Sequence, residues 1–116
     1  MTATTLTISK DSDVITFINL FTVQSEEEQQ QLIDLLIKAT EEVMCNQEGF
    51  VSANIHKSLD GKHVVNYEQW KNKESFEKML RNTKALIHMD KVLKVTKEVE
   101  GYYLYNVVYT NEHQKQ

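Results

Sequence analysis

Hydrophobic residues recur with two different periods along this chain, and the changes of period mark its elements. Residues 14–23 are rich in β-branched and aromatic residues. Apolar residues occupy both odd and even positions, which predicts a strand covered on both faces. Ser25 and Glu28 form a capping box at the start of the next segment. Apolar residues at helical spacing then predict a helix from about Glu26 to Met44.

A β-hairpin is predicted in the middle of the chain. Residues 50–57 and 63–70 both have strand-like composition, and Asp60-Gly61 between them is a strong turn signal. Counted outward from this turn, Val51 lies opposite Trp70. The strand face with the small apolar side chains, which helices should cover, consists of Val51, Ala53, Ile55, Val64, Asn66 and Trp70.

A second helix and a final strand complete the pattern. Asn72 can cap the helix, and its apolar stripe continues to Leu93 after a bend near Asn82-Thr83. Gly101 then breaks the chain, and residues 102–109 predict the last strand from their content of Tyr, Val and Leu.

The predicted order β-α-β-β-α-β is that of an α+β, ferredoxin-like fold, with a four-stranded antiparallel sheet and both helices on one face. We expect one domain over residues 13–110, between a flexible leader at 1–12 and a flexible tail at 111–116. Apolar residues also occupy the sheet face that the helices leave uncovered. We therefore expect a homodimer in which two sheets pack together as a dimeric α+β barrel.

Composition and charge argue against several classes of function. Thirteen Lys and Arg against seventeen Asp and Glu give a net charge of −4, so we expect neither nucleic acid nor a membrane as partner. The one cysteine, Cys45, cannot form an internal disulfide, which fits a cytoplasmic location. The four histidines are not at paired ligand spacing and the three glycines lie far apart, so we expect neither a metal site nor a phosphate loop.

Asn66 and Trp70 have the clearest chemical potential. They are four residues apart on a strand and therefore project to the same face, among small apolar neighbours. In the wall of an apolar cavity, the amide could hydrogen-bond a carbonyl or enolate oxygen and the indole could stack on a flat molecule. The structural alternative is that Asn66 satisfies backbone groups and Trp70 fills the core.

The stretch from Ala53 to Trp70 has a small residue and a histidine before the Asp-Gly turn and Val-Val-Asn-Tyr-x-Gln-Trp after it. This pattern resembles the central hairpin of the antibiotic biosynthesis monooxygenase family, whose strand and helix order fits residues 14–109. One branch of that family oxidises a tricyclic anthrone to a quinone with O₂, without flavin, haem or metal. The resemblance implies that Asn66 and Trp70 are site residues and that no cofactor is needed.

Other positions depart from the branches of the family. Phe76 stands where the quinone-forming branch has a tyrosine, and Asp90, with His88 nearby, stands where it has an arginine. A haem-degrading branch needs an asparagine, a tryptophan and a histidine, of which Asn19 and His88 match the first and third. Met79 occupies the tryptophan position, which argues against haem degradation. The departures leave open a different substrate, a different reaction or a loss of activity.

The favoured hypothesis is a cofactor-independent monooxygenase that acts with O₂ on a small, flat, electron-rich aromatic or polyketide-like molecule. Two alternatives stay open: a non-catalytic small-ligand-binding or stress-associated dimer, and an isomerase or degrading enzyme for a small metabolite with His88 as base. The predicted catalytic residues are Asn66, Trp70 and His88. The predicted substrate-binding residues are Asn19, Val51, Ile55, Phe76 and Met79.

Overall fold

Five strands form one antiparallel sheet in residues 4–113, which are the residues that the structure, a computed structural model, describes. The strands are β1 (Ile15–Thr22), β2 (Phe50–Lys57), β3 (His63–Trp70), β4 (Glu98–Glu100) and β5 (Leu104–Tyr105). Their order is β2-β3-β1-β4, and β5 pairs with β1 as well. This arrangement confirms the predicted α+β, ferredoxin-like fold.

Helices pack against one face of this sheet. They are α1 (Glu26–Glu42), α2 (Lys73–Met79) and α3 (Thr83–Lys94), and a short 3₁₀ turn (Met44–Asn46) follows α1. The side chains of Ser25, Asn72 and Asn82 each accept a hydrogen bond from the backbone N–H three residues later. The third of these caps starts α3, so the bend predicted near Asn82-Thr83 separates two helices.

The core between the helices and the sheet has two clusters. The first contains Phe21, Val23, Leu32, Leu36, Val64 and Val92, and the second contains Val43, Met44, Trp70, Phe76, Met79 and Ala85. The first cluster joins α1 and α3 to β1 and β3, whereas the second fixes α2 and the start of α3 on the end of β3. No helix in the described part of the chain is long and apolar enough to cross a membrane.

The hairpin has the predicted strand bounds, but its register differs at one end. An extra residue is inserted between Phe50 and Ser52, so Phe50 lies opposite Trp70. The Phe50 ring packs edge-on against the Trp70 indole with centroids 5.5 Å apart. Val51 is 47% exposed. The predicted placement of Val51 opposite Trp70 and under the helices is therefore wrong, because a bulge changes the count by one residue.

The last strand also differs from its prediction. In place of one strand over 102–109, β4 lies before Gly101 and pairs with Leu20–Thr22, and the two-residue β5 pairs with Thr16–Phe17. Gly101 has φ +106°, which turns the chain between the two pairings. Two of the three residues of β4 are acidic, so its composition does not predict a strand. Residues 106–113, which were predicted to continue the last strand as far as 109, contain no strand.

The sheet face opposite the helices is partly covered by the segment before β1. Thr16 and Gln69 are buried on this face, and Gln69 Nε2 donates to the Thr7 carbonyl at 2.9 Å. Four apolar side chains of the same face remain half-buried: Ile18, Leu20, Val65 and Tyr67. The predicted flexible ends, 1–12 and 111–116, fall partly outside the described residues, and their mobility remains a prediction.

Candidate active site

An apolar cavity of about 400 Å³ lies between the helices and the sheet, within the size range of sites for small organic molecules. Its walls are Phe17, Asn19, Phe21, Ala39, Met44, Asn66, Glu68, Phe76, Met79, Leu80, His88, Met89, Val92, Leu93, Val99 and Tyr102. Tyr102 is 73% exposed, which places it at the mouth. No lysine or arginine contributes to this lining within residues 4–113.

Three alternate residues of β3 form a hydrogen-bonded group beside the cavity. Asn66 Nδ2 donates to Glu68 Oε2 at 2.8 Å, and Trp70 Nε1 donates to Glu68 Oε1 at 3.0 Å. All three side chains are buried, with exposed fractions of 6% or less. The strand repeat of two residues points them to the same face. The carboxyl group is thus held at both oxygens by neutral donors.

Glu68 is the functional candidate that sequence analysis missed. Burial raises the pKa of its carboxyl, and the hydrogen bonds from Trp70 and Asn66 oppose that rise. Glu68 lies between Asn66 and Trp70 at the strand repeat of two residues. The alternation that places those two side chains on the helix-covered face therefore places Glu68 there as well. A carboxyl on a face that helices cover is unusual enough to be a signal by itself.

Asn66 has one amide atom without a partner. Its Nδ2 is engaged by Glu68, whereas its buried Oδ1 has no hydrogen-bond partner in the described part of the protein. A buried polar atom in this state costs about 1–3 kcal/mol. Asn66 lines the cavity, so a polar group of a bound molecule is a natural partner for this amide.

Trp70 and Ile55 lie behind the site, outside the cavity lining. Trp70 is 0% exposed and packs edge-on against Phe76, with centroids 6.0 Å apart. Its contribution to the site is the indole N–H on Glu68. Ile55 lies opposite Asn66 in the hairpin and packs on the core cluster that contains Val64.

Asn19 lies beside Asn66, because the two are register partners on β1 and β3. Asn19 Nδ2 donates to the Gly101 carbonyl at 2.9 Å. This bond joins the floor of the cavity to the turn between β4 and β5. Tyr102, at the mouth, follows Gly101 directly.

His88 reaches the cavity from α3 and is 9% exposed. Its Nε2 lies 3.5 Å from Glu42 Oε2 at the end of α1. Asp90, two residues further on, is on the outer side of α3, where its carboxylate pairs with Lys94 Nζ at 3.1 Å. Asp90 therefore brings no charge into the cavity.

Phe76 and Met79 line the cavity from α2. The Phe76 ring also packs on Phe17 of β1, with centroids 4.6 Å apart, so it closes one end of the space. Residues 4–113 hold no group of three or more His, Cys, Asp and Glu side chains arranged to bind a metal ion.

The fold and the site define an α+β protein with a cavity of small-molecule size between its sheet and its helices. The model of the antibiotic biosynthesis monooxygenase family matches residues 14–91. A curated relative, tetracenomycin-F1 monooxygenase from Streptomyces glaucescens, is 40% identical over 84 residues, which are 72% of this chain and 74% of that protein. The chain belongs to the antibiotic biosynthesis monooxygenase family.

Solved structures of other proteins have a similar fold. A mutant of SnoaB, a cofactor-independent oxygenase from Streptomyces nogalater, superposes with a TM-score of 0.76 at 21% identity, over 85% of this chain and 97% of that one. A monooxygenase from the gene ActVA-Orf6 of Streptomyces coelicolor, in complex with nanaomycin D, superposes with a TM-score of 0.77 at 19% identity. The match covers 89% of this chain and 94% of that one. At these identities the likeness shows the fold, and the curated relative supports a monooxygenase role.

Proposed function

We propose that this protein is a cofactor-independent monooxygenase that oxidises a flat, electron-rich aromatic substrate of anthrone or hydroquinone type with O₂. The observation that carries the proposal is the apolar cavity with Asn66 and Glu68 in its sheet wall, where Trp70 donates to Glu68 from outside the lining. The curated relative, a tetracenomycin-F1 monooxygenase, supports the same class of reaction.

The chemistry needs little from the protein beyond binding and charge stabilisation. Loss of a proton from an anthrone CH₂ group leaves an electron-rich enolate. This enolate gives electrons to O₂, a carbon–oxygen bond forms, and the resulting peroxide loses water to leave a carbonyl group. One O₂ thus yields one carbonyl oxygen and one water. The Asn66 amide supplies a neutral hydrogen bond to the enolate oxygen, where negative charge develops.

The lining favours a substrate without a carboxylate or phosphate. The residues that surround the cavity in the described chain include no lysine or arginine, and Glu68 would repel an anion when ionised. Phe17 and Phe76 offer aromatic faces or edges to a flat ring system. A neutral polycyclic phenol or anthrone fits these walls.

Oxygen uptake by metal-free protein tests the proposal. With a panel of anthrones and hydroquinones, we expect uptake above the autoxidation of each compound alone. Asn66→Ala removes the donor to the enolate oxygen and should lower the rate about 10²- to 10³-fold. Trp70→Phe keeps most of the packing but removes one donor to Glu68, so we expect a smaller loss.

Asn111→Ala is a matched control, because Asn111 is exposed and is not among the residues that line the cavity. It should leave the rate unchanged. Circular dichroism would establish that all variants fold. Uptake that stays at the blank rate for the whole panel, or that Asn66→Ala leaves intact, would contradict the proposal.

We further propose that the protein is a homodimer joined through the sheet face opposite the helices. The half-buried Ile18, Leu20, Val65 and Tyr67 form an apolar patch on this face. Sedimentation at micromolar concentration should give twice the mass of 13.5 kDa, and Leu20→Lys should shift the protein toward the monomer. A wild-type monomer would contradict this assignment.

One observation favours a second candidate, an oxygen-independent isomerase or degrading enzyme with His88 as base. His88 lines the cavity and its Nε2 lies near the exposed Glu42 carboxylate, which links a buried imidazole to solvent. Substrate turnover in the absence of O₂, lost in His88→Gln, would favour this candidate over the oxygenase.

A further inference from the structure

We propose that Glu68 accepts the proton that the substrate loses, and that the Asn66 amide turns over in response, so that its N–H groups face the new oxyanion. This inference rests on the proposed function, since it assigns the proton step of that reaction. It joins two roles, base and oxyanion donor, in one pair of neighbouring side chains.

The position of Glu68 suits it to take a proton. Its side chain lines the cavity while its two oxygens accept from Asn66 Nδ2 and Trp70 Nε1. Both donors are neutral, and the described cavity lining has no lysine or arginine that would hold the group ionised. Burial raises the pKa of the carboxyl, which brings it closer to neutral pH, where a general base is most effective.

The Asn66 amide must present a different atom to Glu68 when the Glu68 carboxyl is ionised and when it is protonated. An ionised carboxylate can only accept hydrogen bonds, so the amide presents Nδ2, as the structure shows at 2.8 Å. A protonated carboxyl has an O–H to donate, and the amide can accept it only through Oδ1. A half-turn of the amide plane about the Cβ–Cγ bond exchanges the two atoms.

The unpartnered Oδ1 of Asn66 is what makes this half-turn useful. In the present orientation Oδ1 is buried and has no partner in residues 4–113. Its accessible area is below 1 Å², so a substrate hydroxyl can donate to it before reaction only where binding moves the side chains around it. After the half-turn, Nδ2 occupies that position and can donate to an oxyanion. The same site thus binds the neutral substrate as an acceptor and its enolate as a donor.

The proton step balances without a further reactant. The proton leaves a substrate C–H or O–H bond and forms an O–H bond on a Glu68 oxygen, while the bonding electron pair stays on the substrate as its enolate. Trp70 Nε1 continues to donate to the other carboxyl oxygen. Oxidation by O₂ follows as a separate step in the proposed function.

Two other titratable side chains line the cavity, and either is a rival proton acceptor. His88 enters from α3 and Tyr102 from the turn between β4 and β5. The lining residues contributed by β1, α1, the 3₁₀ turn and α2 carry no ionisable group, and Ala53 is the neighbour of Glu68 on β2. Glu42 contacts His88 from outside the lining. The test must therefore separate Glu68 from both His88 and Tyr102.

Anaerobic deuterium exchange measures the proton step without oxidation. A dihydroxyanthrone in heavy water should exchange its CH₂ protons faster with wild-type protein than alone. Glu68→Gln should lower the protein-dependent rate about 10²- to 10⁴-fold, and Glu68→Asp should lower it less because it keeps a carboxylate. His88→Gln and Tyr102→Phe should each retain most of the rate. Glu77→Gln, an exposed acid on α2, is the matched control.

The turning of Asn66 has its own readout. In substrate-free protein, the NMR signals of the Asn66 side-chain amide should change with pH at the same midpoint as the Glu68 carboxyl carbon. In Glu68→Gln they should be independent of pH, because the new amide donates to Asn66 Oδ1 in every condition. Asn66 signals that stay constant while Glu68 titrates would overturn the half-turn.

The outcomes separate this inference from the proposed function. Exchange that depends on Glu68 without any oxygen uptake would support the inference and overturn the oxygenase. Oxygen uptake that Glu68→Gln retains would overturn the inference and leave the oxygenase standing. Exchange no faster than the blank with wild-type protein would also overturn the role of Glu68. So would exchange that is lost in His88→Gln or in Tyr102→Phe but retained in Glu68→Gln.

Discussion

Trp70→Ala should lower the free energy of unfolding by about 3–5 kcal/mol, as for other large core aromatics. The indole is 0% exposed and packs on Phe50 and Phe76, so its removal leaves a large void in the second core cluster. The change also takes a hydrogen bond from the buried Glu68. The whole free energy of unfolding of a small domain is about 5–15 kcal/mol, so the variant should unfold at a much lower denaturant concentration.

Urea unfolding followed by circular dichroism measures this effect. Leu59→Ala is the control, because Leu59 is fully exposed at the hairpin turn and should change the free energy of unfolding by less than about 0.5 kcal/mol. A Trp70→Ala variant as stable as Leu59→Ala would contradict the placement of the indole in the core.

Gly101→Ala should lower the free energy of unfolding by about 2–3 kcal/mol. Gly101 has φ +106°, and a Cβ there would collide with the backbone carbonyl oxygen of Ile18. Relief of the collision must displace the turn between β4 and β5. The same displacement breaks the hydrogen bond from Asn19 Nδ2 to the Gly101 carbonyl.

Gly61→Ala provides a close comparison, because Gly61 also has positive φ, at +78°. Its Cβ would meet the side chain of Glu26, which is flexible and can move away. We expect Gly61→Ala to lower the free energy of unfolding by about 1 kcal/mol. Thermal unfolding of both variants tests the difference, and equal losses would show that the contact with Ile18 is not what restricts position 101.

Local signals were sufficient to predict the hairpin and the helix starts. Asp60-Gly61 specified the turn, and the strand bounds on either side of it agree with the structure. Ser25 and Asn72 were read as caps and act as caps. Each of these features depends on a few consecutive residues, which is why the sequence alone determines them.

The errors arose where distant parts of the chain decide the geometry. A bulge between Phe50 and Ser52 moved Val51 out of its predicted place. Gly49 stands directly before it, but it reads equally well as the end of the preceding connection. β4 has two exposed acids and exists because it pairs with Leu20–Thr22 of β1. Such pairings follow from tertiary structure, which strand propensity does not record.

The candidate site was predicted in part. Strand parity and the family resemblance selected Asn66, and the structure places it with Asn19, Phe76, Met79 and His88 around one cavity. Glu68 was missed because a glutamate is ordinarily a surface residue, although its parity was plain. Its importance depends on burial and on its two donors, which only the folded structure shows.

The central claim is that this fold inserts one atom of O₂ into a bound aromatic substrate with no cofactor. The most direct measurement is mass spectrometry of the product formed by metal-free protein and an anthrone under isotopically heavy O₂ in ordinary water. We predict one heavy oxygen atom per product molecule, formed faster than in the protein-free blank. A product whose new oxygen comes from water, or that forms equally well without O₂, would contradict the claim.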